Sequence, residues 1–131
     1  MEPSYRPLPS LVQQIAEVDA EIAESTKACE DLLTEMKSKW EEAKKIDQEK
    51  EELAASAGIE LGPDGAPKQL VPRKMFDLLA ASKVKWDATE EKIQLIAREQ
   101  VNRQKKLDKR KGIVKQLAAA KRALAKARTP N

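Results

Sequence analysis

From Leu11 to Ala57 the chain returns to the same side of a helix at alternating steps of four and three. The column reads Leu11, Ile15, Val18, Ile22, Ser25, Cys29, Leu32, Met36, Lys39, Ala43, Ile46, Lys50, Leu53 and Ala57, and eleven of these fourteen positions are apolar or Cys. A period of 3.5 residues kept over so many turns is the mark of a coiled-coil seam, in which each helix must bury a narrow stripe against another helix. Gly58 follows where a helix stop belongs. This predicts a first helix over 11–57, preceded by an extended Pro-rich arm over 1–10 (Pro3, Pro7, Pro9) with Ser10 as N-cap.

Residues 58–71, GIELGPDGAPKQLV, interrupt the pattern, and Gly62-Pro63-Asp64-Gly65 is a strong turn signal. Ile59 and Leu61 on one side of it and Leu70 and Val71 on the other read as a tip loop, with a short β-ribbon as one way to pair them. Pro72 suits the first turn of a second helix over 72–128. Along it the apolar residues are Met75, Leu79, Trp86, Ile93, Ile96, Leu107, Val114, Leu117 and Leu124. Asp87 could cap a new helix and Gly112 could bend one, so a break in this second arm, giving three helices, stays open.

Folding the chain at 64–65 brings together residues whose numbers total about 129. Leu53 then meets Phe76, Ile46 meets Lys83 and Val84, Met36 meets Ile93, Ile22 meets Leu107 and Ile15 meets Val114. Trp40 and Trp86 come within a turn of each other as seam packing, and Cys29 becomes a small buried residue. Charge supports the pairing. Residues 1–60 carry a net charge of −8, residues 61–97 carry +1 and residues 98–131 carry +10. Glu17, Asp19 and Glu24 would face Lys111, Arg110 and Lys105. A parallel self-dimer would instead set like-charged arms side by side. The expected fold is all-α: a long antiparallel helical hairpin, a two-stranded coiled coil with a Gly/Pro tip loop.

Composition narrows function mainly by exclusion. There is no His and a single Cys among 131 residues, so Ser-His-Asp and Cys-His catalysis, His/Cys zinc sites and an internal disulfide are not expected. The glycines lack the spacing of a phosphate-binding loop, and a two-helix rod has no cleft to desolvate a carboxylate pair. No enzyme, cofactor or metal is expected. No stretch is apolar enough to span a membrane. The opening MEPSYRPLPS does not read as a secretory signal, so the expected location is the cytoplasm or a large intracellular or virion assembly.

Two regions exceed what a hairpin needs for itself. At the tip, Ile59, Leu61, Leu70, Val71 and Phe76, with Met75, gather apolar groups where a rod has little core, which points either to a partner contact or to a self-packed cap. At the other end, twelve Lys and Arg lie between Arg98 and Arg128. They read as salt-bridge partners of the acidic arm or as a track for a phosphate backbone. The tail residues Lys115, Lys121, Arg122, Leu124, Lys126 and Arg128 lie largely beyond the paired region. Their apolar side would dock on a protein, or be covered by Tyr5 and Leu8. In outline the chain resembles the helical-hairpin adaptors, stalks and chaperones of large assemblies, such as export stalk proteins, prefoldin-type chaperones and virion accessory proteins. That likeness is of shape and brings no residue with it. The expected role is a non-enzymatic structural or adaptor subunit with protein partners, able to self-associate into a four-helix bundle. The alternative is a nucleic-acid-binding accessory protein using residues 98–128.

Overall fold

The computed structural model describes residues 8–128, and two long helices make up most of that length: α1, Leu8–Ala57, and α2, Arg73–Arg128. The described residues contain no strand. The helices pack against each other, as in a helical hairpin. α1 begins inside the expected extended arm. Pro9 falls in its first turn, where a missing N–H costs nothing because that group has no partner within the helix. Ser10 is therefore helical rather than a cap, and its hydroxyl accepts a bond from Gln14 Nε2 at 3.4 Å. Residues 1–7 of the expected arm, Tyr5 among them, lie outside the described residues. α2 runs unbroken through Asp87 and Gly112, so the three-helix alternative does not form. Thr89, two residues on from Asp87, turns its hydroxyl to the carbonyl of Lys85 at 2.9 Å, a bond made inside a continuing helix.

The stop after α1 is a Schellman motif. Gly58 takes φ +68°, and the N–H of Ile59 reaches back to the carbonyl of Ala54 at 2.8 Å. The connector then turns on Gly62–Gly65. The Gly65 N–H donates to the carbonyl of Gly62 at 2.9 Å, and Asp64 Oδ1 accepts from the N–H of Ala66 at 3.1 Å. Of the expected ribbon only one antiparallel bridge forms, Leu61 with Pro67, beside a bond from the Lys68 N–H to the Glu60 carbonyl at 2.9 Å. Leu70 takes no part in it and is 96% exposed.

The chain divides into two compact units. One joins the chain up to Glu30 with the chain from Ala97; the other is Asp31–Ile96. In the first, Leu11, Val18 and Ile113 form a buried cluster joined by Ile15, Ile22, Leu117 and Ala120. Asp19 pairs with Arg110, and Thr26 accepts from Arg103 at 2.8 Å. In the second, Ala54, Ile59 and Met75 form the cluster, joined by Leu53, Leu61, Val71 and Leu79. There Glu35 pairs with Lys92 at 2.9 Å, Glu42 with Lys85 at 3.1 Å, and Asp47 with Ser82. Within each unit, partners step down α2 as they step up α1, so the helices are antiparallel.

Candidate interaction surfaces

The two helices meet along different kinds of column. On α1 the buried and half-buried positions follow the expected series, with Leu11, Val18, Ser25, Ala43 and Lys50 at its tightest points. On α2 they run Met75, Ser82, Thr89, Ile96, Arg103, Arg110, Leu117 and Leu124, alternating with Leu78, Lys85, Lys92, Glu99, Lys106, Ile113 and Ala120. Those columns share Met75, Ile96, Leu117 and Leu124 with the expected apolar series, Leu79 and Leu107 are half-buried beside them, and the series departs from them at Trp86, Ile93 and Val114. Phe76, Val84, Ile93 and Val114, expected to face α1, are 56%, 64%, 49% and 38% exposed. Met75, expected in the apolar series, is buried, and so are Ser82, Thr89 and Ile113. The reason is steric and electrostatic. Small Ser and Thr fit the close approach, and Lys and Arg cover apolar surface with their stems while their charges reach carboxylates at the edge.

Both tryptophans, expected as seam packing, lie outside the seam. Trp86 is 36% and Trp40 is 43% exposed. Trp86 Nε1 donates to Asp47 Oδ2 at 2.8 Å, and Asp47 also accepts from Ser82 Oγ and lies 3.8 Å from Lys50 Nζ. Lys44 Nζ sits 5.5 Å from the centroid of the Trp40 ring, a cation–π distance. Asp47 was not singled out from the sequence. Its only signal there is a carboxylate beside Ile46 in the column that must face α2.

The connector end mixes packed and open apolar groups. Ile59 is buried, and Leu61 and Val71 pack against its cluster, so these three form a cap over the connector end of the pair. Leu70 and Phe76 remain outside. The buried Lys50 reaches this region, its Nζ lying 2.9 Å from where a Cβ on Gly65 would stand.

The basic end of α2 is mostly open. Of the three expected cross-helix pairs, Asp19 with Arg110 forms. Lys105, Lys109 and Lys111 are exposed, as are Lys115, Lys121, Arg122, Lys126 and Arg128. Leu124 is half-buried, and Ala120 packs into the first unit's cluster. Arg103 is half-buried against Thr26. Nearby, Glu99 accepts from the Ser25 hydroxyl at 2.7 Å and from the Asn102 amide at 3.3 Å, and these bonds hold its carboxyl below the ordinary range. The Glu42 carboxyl is likewise held down by its bond from Lys85, and the Lys92 ammonium is pushed up by its bond to Glu35.

No cluster of His, Cys, Asp and Glu among the described residues is arranged to hold a metal ion. No helix among them is long and apolar enough to cross a membrane. Set against protein-family models, curated proteins and solved structures, the chain matches none.

Proposed function

We propose that the chain is a non-enzymatic structural or adaptor subunit. In this reading it is a two-stranded coiled-coil hairpin that offers its Gly/Pro tip, its N-terminal arm and the basic end of α2 to protein partners in a larger assembly. The observation that carries the reading is the contrast at the connector end. Ile59, Leu61 and Val71 close a cap of their own, yet Leu70 beside them stays 96% exposed and Phe76 56% exposed. Large apolar side chains left out of an available core are a cost in water that a contact would remove. The test is an in-cell crosslinking comparison of the full chain with its Leu70→Ser/Phe76→Ser variant. Expected is loss of specific crosslinked partners with the thermal midpoint unchanged. Equal crosslinking by both proteins would reject the tip as a contact.

A second reading has its own support. The cations from Lys105 to Arg128 lie mostly in solvent rather than against the acidic arm, as a phosphate-binding track requires. For a nucleic-acid binder, reversing Lys121, Arg122 and Lys126 to Glu lowers affinity for every sequence, and the salt slope falls by roughly one per phosphate contact removed. For an adaptor that docks through the tail, Leu124→Ala weakens partner binding more than the charge reversals do. Fluorescence anisotropy with a labelled duplex across a salt series separates the two.

A further inference from the structure

In the unit of residues 31–96 the two sides of the helix pair differ in kind. One side is tied by charge, Glu35 to Lys92 and Glu42 to Lys85. The other carries Leu33, Trp40 and Asp47 at seven-residue steps on α1 and Trp86 and Ile93 at the same step on α2. The bond from Trp86 Nε1 to Asp47 places these two columns on one side and opposite each other. Leu33 is 41% exposed, Trp40 43%, Trp86 36% and Ile93 49%. Half of the chain's four aromatic residues thus lie on one side, with the indole N–H of Trp86 already satisfied.

We infer that this face binds the same face of a second copy of the chain. The two copies are related by a two-fold axis parallel to the helices, so that α1 of each lies on α2 of the other. The argument is charge complementarity at the margins. Lys44 stands one turn beyond Trp40, and Glu51 one turn beyond Asp47. On α2, Lys83 and Glu90 stand one turn to either side of Trp86. All four are exposed. Because Asp47 faces Trp86, Lys44 lies at the level of Glu90, and Glu51 at the level of Lys83. An axis parallel to the helices keeps every residue at its own level, so the register has no freedom. Lys44 then meets Glu90 of the second copy, Glu51 meets Lys83, and Trp40 meets Ile93. A partner of uniform charge would be repelled by one member of each margin. Lys83 has a companion on its own helix, Asp87 at 3.2 Å, but that pair is exposed and yields readily to a cross-chain carboxylate. The inference does not depend on the adaptor reading, since it needs no other protein.

The test uses the full chain in sedimentation velocity over a concentration series. Expected is a reversible dimer of twice 14.6 kDa. Trp40→Glu/Ile93→Glu is expected to run as a monomer with unchanged helix content by circular dichroism, since both side chains are already about half in water. Lys44→Glu alone, and Glu90→Lys alone, should each weaken the dimer about tenfold, because symmetry repeats the contact twice. Combining the two should restore it. In a Cys29→Ser background, cysteines at 44 and 90 should crosslink between chains. A monomer at every concentration, a dimer untouched by Trp40→Glu/Ile93→Glu, or interchain crosslinking of 44 to 51 in place of 90 would each overturn the arrangement.

Discussion

Gly58 and Gly112 are the same residue in opposite situations. Gly58 takes φ +68°, where a side chain is strained; Gly112 lies inside α2 with open space where a side chain would stand. Gly58→Ala is therefore expected to destabilise by about 1–2 kcal/mol. Gly112→Ala should stabilise by up to about 1 kcal/mol, because it lowers the backbone entropy lost on folding and crowds nothing. Urea unfolding of both variants checks the opposite signs. Titration adds a second prediction at this scale. The Glu99 and Glu42 carboxyls are held below their ordinary value of 4.5. Their contribution is complete above that value and is lost as the pH falls through the lowered ones. Lys92 is raised above 10.5, so its contribution is complete below 10.5 and is lost as the pH rises through the raised value. All three sit near solvent, and added salt should shrink both limbs. Glu99→Gln should lower the urea midpoint at neutral pH, and the difference from the parent should narrow as the pH falls below 4.5.

Within an element, adjacent residues differ sharply in what they contribute. Met75 is fully buried, and Phe76 is 56% exposed. A reading by apolar content alone would choose Phe76 as the partner of Leu53. Packing chooses Met75, which shares a cluster with Leu53, Ala54 and Ile59. Met75→Ala should cost about 2–5 kcal/mol, as is usual for emptying a filled site. Phe76→Ala should cost less than about 1 kcal/mol. If the two melting temperatures fall equally, the column assigned to α2 is wrong. The continuity of α2 follows the same logic. A capping-type residue at Asp87 and a Gly at 112 are weak local signals, and each is overridden when the flanking turns already pack.

Across the molecule, apolar burial gathers in two places. One holds Leu11, Val18 and Ile113, and the other Ala54, Ile59 and Met75. Ser25, Lys39 and Lys50 on α1 and Lys85, Thr89, Lys92, Glu99 and Arg103 on α2 give both helices seam positions that are polar or charged. Two separate clusters predict uneven local stability. Val18→Ala should speed amide exchange in 8–30 and 97–128 well before it does so in 31–96, as mass-spectrometric hydrogen exchange would read. Uniform loss of protection would mean that the chain opens as one cooperative body.

Two helices with an interruption between them, and their antiparallel order, were legible from residues alone. The apolar series of α1 calls for a facing surface, Gly58 ends the first run, the Gly-Pro-Asp-Gly turn that follows reverses the chain, and the opposite net charges of the two arms agree with their pairing. The basic stretch of the tail was equally plain, because charge needs no tertiary structure to be read. Of the column that α2 turns inward, the apolar positions Met75, Ile96, Leu117 and Leu124 were legible, and the polar and charged ones between them were not. Ser82, Thr89, Lys85 and Lys92 have no apolar signal, and they face α1 because small groups permit close approach and long stems carry their charge to Glu35 and Glu42. That choice belongs to the pair of helices, since it depends on volumes and carboxylates supplied by α1. It also decides the surface. By taking the inward positions, these residues leave Trp86 and Ile93 partly in water, and the bond from Trp86 to Asp47 of α1 makes a face that neither helix specifies by itself.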